Sequence, residues 1–248
     1  MKKLLWRCDD FGSATGANEA FLRVARTGLT VNCSILTCAP DARNGLDELA
    51  KFSPQICLGI HAAVNSEWST LKWGPVSEAA RASKMVDANG HFHPDYEILS
   101  KQPPELIAAE VEAQVKRALG WGIPFSYLDE HMGFGWIPGV APLLAQIAEA
   151  HGLIFQPALP GLPEVKPPSP NLVEQVAQQL DAVKDEMPRL VVFHPAVDDA
   201  STRKFYFGPD DSGAVSRDRQ LELDALTSEP WRRLVSGGEV QLITYRDL

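Results

Sequence analysis

The sequence predicts an α/β fold, a single-domain (β/α) barrel-like arrangement of about seven parallel strands with helices outside. Three observations carry this expectation. Short apolar, β-branched runs alternate with runs of helical periodicity from one end of the chain to the other. At 248 residues and 45% hydrophobic composition, the chain can bury the core of one such unit. Polar residues gather at the ends of the apolar runs, where the loops of a parallel sheet share one face. No linker divides the chain, so residues 1–248 read as one domain with an insertion near 65–101. An open doubly wound sheet is the alternative. However, CDDFGSATGA after the first strand has neither the GxGxxG spacing nor a GK[ST] phosphate loop.

The elements follow in order. KLLWRCD reads as the first strand, and SATGANEAFLRVARTG as a helix capped by Ser13 and stopped at Gly28. TVNCSILTCA is a strand, DARNGLDELAKF a helix, and QICLGIHAAV a strand. Residues 65–100 break the rhythm, with a hairpin-like turn at Asn89-Gly90. Leu106, Val111, Val115 and Leu119 then give helical spacing, FSYLDEH a short strand, and PGVAPLLAQIAEAHG a helix closed by Gly152. LIFQPAL is a strand. PALPGLPEVKPPSPN, too proline-rich for regular structure, reads as a functional loop. The helix LVEQVAQQLDAVKDEM, the strand RLVVFHPA, one long helix over SRDRQLELDALTS and WRRLVSGG, and the strand VQLITY complete the chain.

Charge and composition exclude some functions. Lys and Arg total 23 against 32 Asp and Glu, a net charge of −9. Such a surface repels phosphate backbones and anionic lipid, which argues against nucleic-acid and membrane partners. No apolar run approaches a signal peptide core or a membrane span, so the expectation is a cytoplasmic protein. Cys8, Cys33, Cys38 and Cys57 fall in the strand-like runs without a CxxC pair and read as buried, reduced thiols. A homodimer is compatible with the chain.

Asp9 and Asp10 end the first strand, His61 lies late in CLGIHAAV, Asp129 and His131 end YLDEH, and His194 ends LVVFH. A strand-end histidine taken singly is an ordinary rim residue, and adjacent strand residues point to opposite faces. Four strands delivering such residues to one rim point instead to a site. An aspartate and two neutral imidazoles suit one divalent metal ion, and a further carboxylate and histidine suit a base and an acid. A cation also removes the repulsion between neighbouring carboxylates, provided a turn permitted by Gly12 lets them converge.

DDFG, GANEAF, GLTVNCSILT, LGIHAAV, YLDEH, FHP, SRDRQLELDALTS and VQLITYRDL occur in the order found in the YdjC-like carbohydrate deacetylases, and the sequence resembles that family over nearly its whole length. The resemblance implies a barrel related to the polysaccharide deacetylases, with magnesium or zinc held by Asp10, His61 and His131. It implies hydrolysis of an N-acetyl group from an amino sugar, with Asp9 taking a proton from the attacking water and His194 protonating the departing amine. Phe134 and Trp136, after His131, are candidate sugar contacts, with loop packing the alternative. Asp129 is read either as orienting a ligand histidine or as a helix cap. Arg217 is read chiefly as a helix-start ion pair and Asp198-Asp199 as a solvated turn. A non-catalytic carbohydrate-binding or regulatory protein, or an amidase for another amide, remain as alternatives. Phosphoryl transfer lacks its expected DxD spacing.

Overall fold

The structure, a computed structural model, describes residues 1–52, 55–156, 159–162, 165, 169–208 and 213–248. Among the described residues, seven strands form one sheet: β1 (Lys2–Phe11), β2 (Val31–Ile35), β3 (Ile56–Ala62), β4 (Tyr127–Glu130), β5 (Ile154–Phe155), β6 (Arg189–Phe193) and β7 (Val240–Leu242). The order is β5-β4-β3-β2-β1-β6, with β7 beside the start of β1, and every pairing is parallel. A single parallel bridge joins Gly161, beyond β5, to Leu190 of β6 at the other edge. The sheet therefore curls into an incomplete barrel, as the βα alternation predicts.

The helices are α1 (Thr15–Arg26), α2 (Leu46–Ala50), α3 (Glu78–Arg81), α4 (Pro104–Leu119), α5 (Val140–Ala150), α6 (Leu172–Ala182), α7 (Ala214–Leu226) and α8 (Glu229–Ser236). Strand alternation sorts side chains between two environments. Leu4, Trp6 and Cys8, with Val31, Cys33, Ile56, Leu58 and Ile60, join the large core beneath the helices. The intervening positions face inward. Leu5, Cys57, Tyr127, Ile243 and Tyr245 form a small inner cluster, and Arg7, Asp9, Asn32, Ser34, His61 and Asp129 are buried above it. Gly59 makes room for Tyr127, since a Cβ there would lie 2.1 Å from the ring. The inner face thus carries an apolar floor and a polar upper layer at the carboxyl ends of the strands.

Several local expectations change. Ser13 does not cap α1. Its hydroxyl donates to the Asp10 carbonyl at 2.7 Å, while Ala14 occupies the cap position with no side-chain bond. The long C-terminal helix is two, because Ser228 caps a fresh start by accepting from Trp231 N at 3.2 Å, with Pro230 in the first turn of α8. Cys38 lies in a turn beyond β2, and all four cysteines are buried and unpaired. Within the insertion, Val86 bridges Phe92 antiparallel around a turn where Gly90 takes φ 81°. Residues 157–158, 163–164 and 166–168 of the proline-rich stretch lie outside the described residues.

Candidate metal centre

The two neighbouring carboxylates converge because β1 bulges. Cys8 pairs with Cys33 but Phe11 with Ile35, so β1 carries one extra residue between them. Asp10 takes φ 76°, a left-handed conformation that few residues other than glycine tolerate and that Asp accepts better than most. The bulge turns Asp9 and Asp10 toward one cleft, where regular alternation would part them. Gly12, at φ 95°, completes the turn, and a Cβ there would meet Ala42 Cα at 2.6 Å.

Asp10 Oδ1 lies 3.2 Å from His131 Nδ1 and 3.7 Å from His61 Nε2. The two ring nitrogens are 3.3 Å apart. The other nitrogen of each ring is already engaged, His61 Nδ1 with Asp129 Oδ1 and His131 Nε2 with Glu67 Oε2, both at 3.0 Å. A carboxylate only accepts, so each ring donates outward and, when neutral, turns a lone pair inward. Asp10 Oδ1 is buried and has no hydrogen-bond partner. With both rings neutral, three lone pairs face one buried point, an unfavourable arrangement that a bound proton or a metal cation resolves. The donor set and its outer carboxylates therefore fit a divalent metal ion.

The electrostatics agree. Burial works to raise the Asp10 carboxyl, yet Arg219 and His131 hold it well below the usual carboxylate range. Burial works to lower the His131 imidazolium, yet Glu67 and Asp10 push it up to about 10, so without an ion a proton on this ring supplies the positive charge that the cluster attracts.

Asp9, His61 and Asp129 form a second trio within reach of one point. Arg7 already supplies its cation. Its Nε and Nη2 each lie 2.7 Å from an Asp9 oxygen, and its Nη1 lies 2.9 Å from Asp129 Oδ2 and 2.8 Å from the Tyr245 hydroxyl. The geometry thus provides for one ion. Burial opposes the Asp9 charge, but Arg7 and His61 outweigh it and lower that carboxyl. Of the two readings of Asp129, its 3.0 Å contact to His61 supports an orienting role.

Asp9, Asp10, His61, Glu67 and His131 line a cleft of about 340 Å³ together with His194, Trp68, Met132, Phe207 and Arg219. A larger groove of about 730 Å³, lined by Ser169, Val173, Leu221 and Leu234 among others, lies away from this cluster. His194 follows β6 and its main-chain N–H donates to Glu222. Burial lowers the pKa of its ring, with Asp10 opposing.

Phe134 is not positioned to touch a substrate. Its side chain is fully buried, because Glu130 Oε2 accepts from the N–H groups of Phe134 and Gly135 and folds that turn into the core. Trp136 is 62% exposed and packs edge-on to Tyr96. Arg217 turns back over Gly213, and Arg219 enters the site instead. Asp198 binds Arg203 and Ser216, while Asp199 accepts from Ser201 and Thr202, so the pair builds a turn. Sequence reading missed Arg7, Glu67, Trp68, Arg219, Glu222 and Tyr245. Arg7 alone left a signal, a charge inside an apolar strand two residues before Asp9 and hence on its face.

The family profile of the YdjC-like proteins matches residues 3–236. A carbohydrate deacetylase 1 of Listeria innocua is 26% identical over 265 residues, covering 99% of this chain and 100% of that protein. A carbohydrate deacetylase of Geobacillus stearothermophilus is 26% identical over 249 residues, covering 96% and 95%. A structure from Enterococcus faecalis V583, named for cellobiose-phosphate cleavage, superposes with TM-score 0.80 at 17% identity, covering 99% and 98%. The catalytic domain of a peptidoglycan N-acetylglucosamine deacetylase from Eubacterium rectale gives 0.53 at 13% identity, covering 98% and 88%. These two share the fold. With its sequence matched over almost its full length, this chain belongs to the YdjC-like family.

Proposed function

We propose that the protein is a metal-dependent hydrolase that removes an acetyl group from an N-acetylated amino sugar or oligosaccharide, with one divalent cation held by Asp10, His61 and His131. The observation that carries this reading is the convergence of two imidazole nitrogens on a buried carboxylate oxygen that has no hydrogen-bond partner. The substrate class comes from the full-length relatives named carbohydrate deacetylases. Two nitrogen donors favour zinc over magnesium, which prefers oxygen. When bound, such an ion acidifies water and polarises an amide carbonyl.

The chain's own groups supply the rest. Asp9 reaches the cleft beside Asp10, and Arg7 fixes both of its oxygens and keeps it ionised. It is the group placed to take a proton from water attacking the carbonyl. His194, at the end of the neighbouring strand β6, faces the same cleft. Its lowered pKa makes its protonated form a ready donor to the leaving amine. Phe207, 64% exposed and packed on Trp68 at 4.8 Å, and Trp136 offer aromatic faces for sugar rings. Four unpaired buried cysteines suit a reducing compartment, and we place the protein in the cytoplasm.

The test is a screen of N-acetylated sugars for acetate release, with Zn²⁺ or Mg²⁺ added and after chelation. Release by the wild type only with metal is expected. Asp9→Asn should still bind the ion and lose at least about a hundredfold in kcat. Normal turnover by this variant removes Asp9 from the base role. Sugar binding without acetate release by the metal-loaded wild type favours the non-catalytic reading.

A further inference from the structure

Arg219 stands within the cleft but outside every role assigned above. α7 delivers it, and Ala196 N donates to its carbonyl at 3.2 Å, which ties that turn of the helix to the segment after β6. Its guanidinium lies against an aromatic pair, 4.7 Å from the centroid of Phe205 and 5.4 Å from that of Trp68, two rings whose own centroids are 5.2 Å apart. Its Nη2 donates to Asp10 Oδ2 at 2.8 Å. Asp10 Oδ1, the other oxygen of the same carboxylate, is the unbonded atom facing His61 and His131. Arg219 itself is only 8% exposed, so water does little to weaken this charge pair.

We propose that Arg219 is a positioning residue that restricts Asp10 to one oxygen for the metal ion and deliberately limits how tightly that ion is held. This inference rests on the reading of Asp10, His61 and His131 as ligands. With Oδ2 held by Arg219, the carboxylate cannot rotate to offer both oxygens, and coordination positions stay free for water and substrate. The guanidinium also cancels much of the Asp10 charge. Its repulsion weakens the ion's binding and leaves the ion more electron-poor. An arginine kept only for packing would act in the opposite direction, since losing it would loosen the site and weaken ion binding. The aromatic pair explains why arginine serves here. A broad, flat guanidinium lies against the rings while its edge reaches the carboxylate, whereas the compact lysine ammonium cannot do both.

The experiment titrates Zn²⁺ and Mg²⁺ separately into metal-stripped wild type, Arg219→Gln, Arg219→Lys and Asp10→Asn by calorimetry, with kcat and melting temperature measured alongside. Arg219→Gln should bind the ion at least about tenfold more tightly and have a kcat at least about tenfold lower, because a fixed cation near the ion is gone. Arg219→Lys, which keeps the charge, should bind within about threefold of wild type. If the Gln variant does not fold, Arg219→Met, whose apolar chain suits the neighbouring Trp68 and Phe205 rings, carries the same test. Unchanged or weaker ion binding in a folded charge-free variant would overturn the proposal, and so would equal tightening in Arg219→Lys. If the wild type binds no ion, or Asp10→Asn binds as well as the wild type, the ligand assignment itself fails and this inference with it.

Discussion

One guanidinium, that of Arg7, links two carboxylates with different tasks. It grips both oxygens of Asp9 and one oxygen of Asp129, whose other oxygen holds His61 in the tautomer that turns Nε2 inward. Ser34 donates to Asp129 from below at 2.8 Å. All of these groups are buried, so removing the cation leaves two carboxylates without their counter-charge in a poorly solvated interior. Arg7→Met should therefore lower stability by about 3–5 kcal/mol, read from urea denaturation of the metal-free protein. A change below about 1 kcal/mol would mean that the network does not depend on this charge. Asp10 is the second residue that decides the site. Its left-handed backbone makes two adjacent carboxylates neighbours in the cleft, a feature that residue identity alone does not announce.

At the scale of elements, α7 does what its sequence conceals. Ser216, Arg219 and Glu222, spaced three apart, form a buried polar stripe alongside Leu223 and Leu226. A search for apolar periodicity reads such a helix as a surface element, because the charges it buries are partnered by residues far away in the sequence, Asp10 and the His194 N–H. Burial pushes the Glu222 carboxyl up to about 7, against the lowering effects of the His194 N–H and of Arg219. An unfolded glutamate titrates near ~4.3. Between these values the folded protein holds a proton that the unfolded chain has released. The Glu222 contribution is then complete below about pH 4 and is lost as the pH rises to about 7. The loss is at most on the order of 4 kcal/mol. Comparing metal-free wild type with Glu222→Gln at pH 5 and pH 8, the wild type should lose about 1–3 kcal/mol more than the variant. Equal losses would show that Glu222 is ionised throughout.

At the scale of the whole molecule, the two ends of the chain meet beneath the site. β7 pairs with the first residues of β1, and the short turn after it carries Tyr245 under Arg7. Tyr245 N donates to Asn32 Oδ1 at 3.0 Å, and the Tyr245 ring packs on Tyr127 at 4.0 Å. The Tyr127 hydroxyl meets Ser34 at 2.8 Å. Thr244 and Asp247 lock the turn with a reciprocal capping box. Tyr245→Phe keeps the stacked ring but removes a buried partner of Arg7. It should cost about 1–2 kcal/mol by denaturant unfolding, with kcat falling more than KM changes because Asp9 loses its fixed support. A variant equal to wild type in both respects would make the hydroxyl dispensable. The insertion closes the cleft from the opposite direction by supplying Glu67 and Trp68.

The sequence by itself determined the alternation of strands and helices, and through it the parallel sheet and the rim where Asp9, Asp10, His61, His131 and His194 meet. Those features follow from local periodicity and from the rule that parallel strands expose their carboxyl ends together. Only the tertiary structure decided what surrounds them. The bulge at Asp10, the Arg7 bridge, the Glu67 contact from the insertion and the Arg219–Asp10 pair each join residues far apart in the chain or depend on one backbone angle. Phe134 and Trp136 show the same division, being two residues apart in one loop yet respectively buried and exposed. Periodicity fixes the face of a strand or helix, but a loop side chain goes where packing and the nearest hydrogen-bond partner send it.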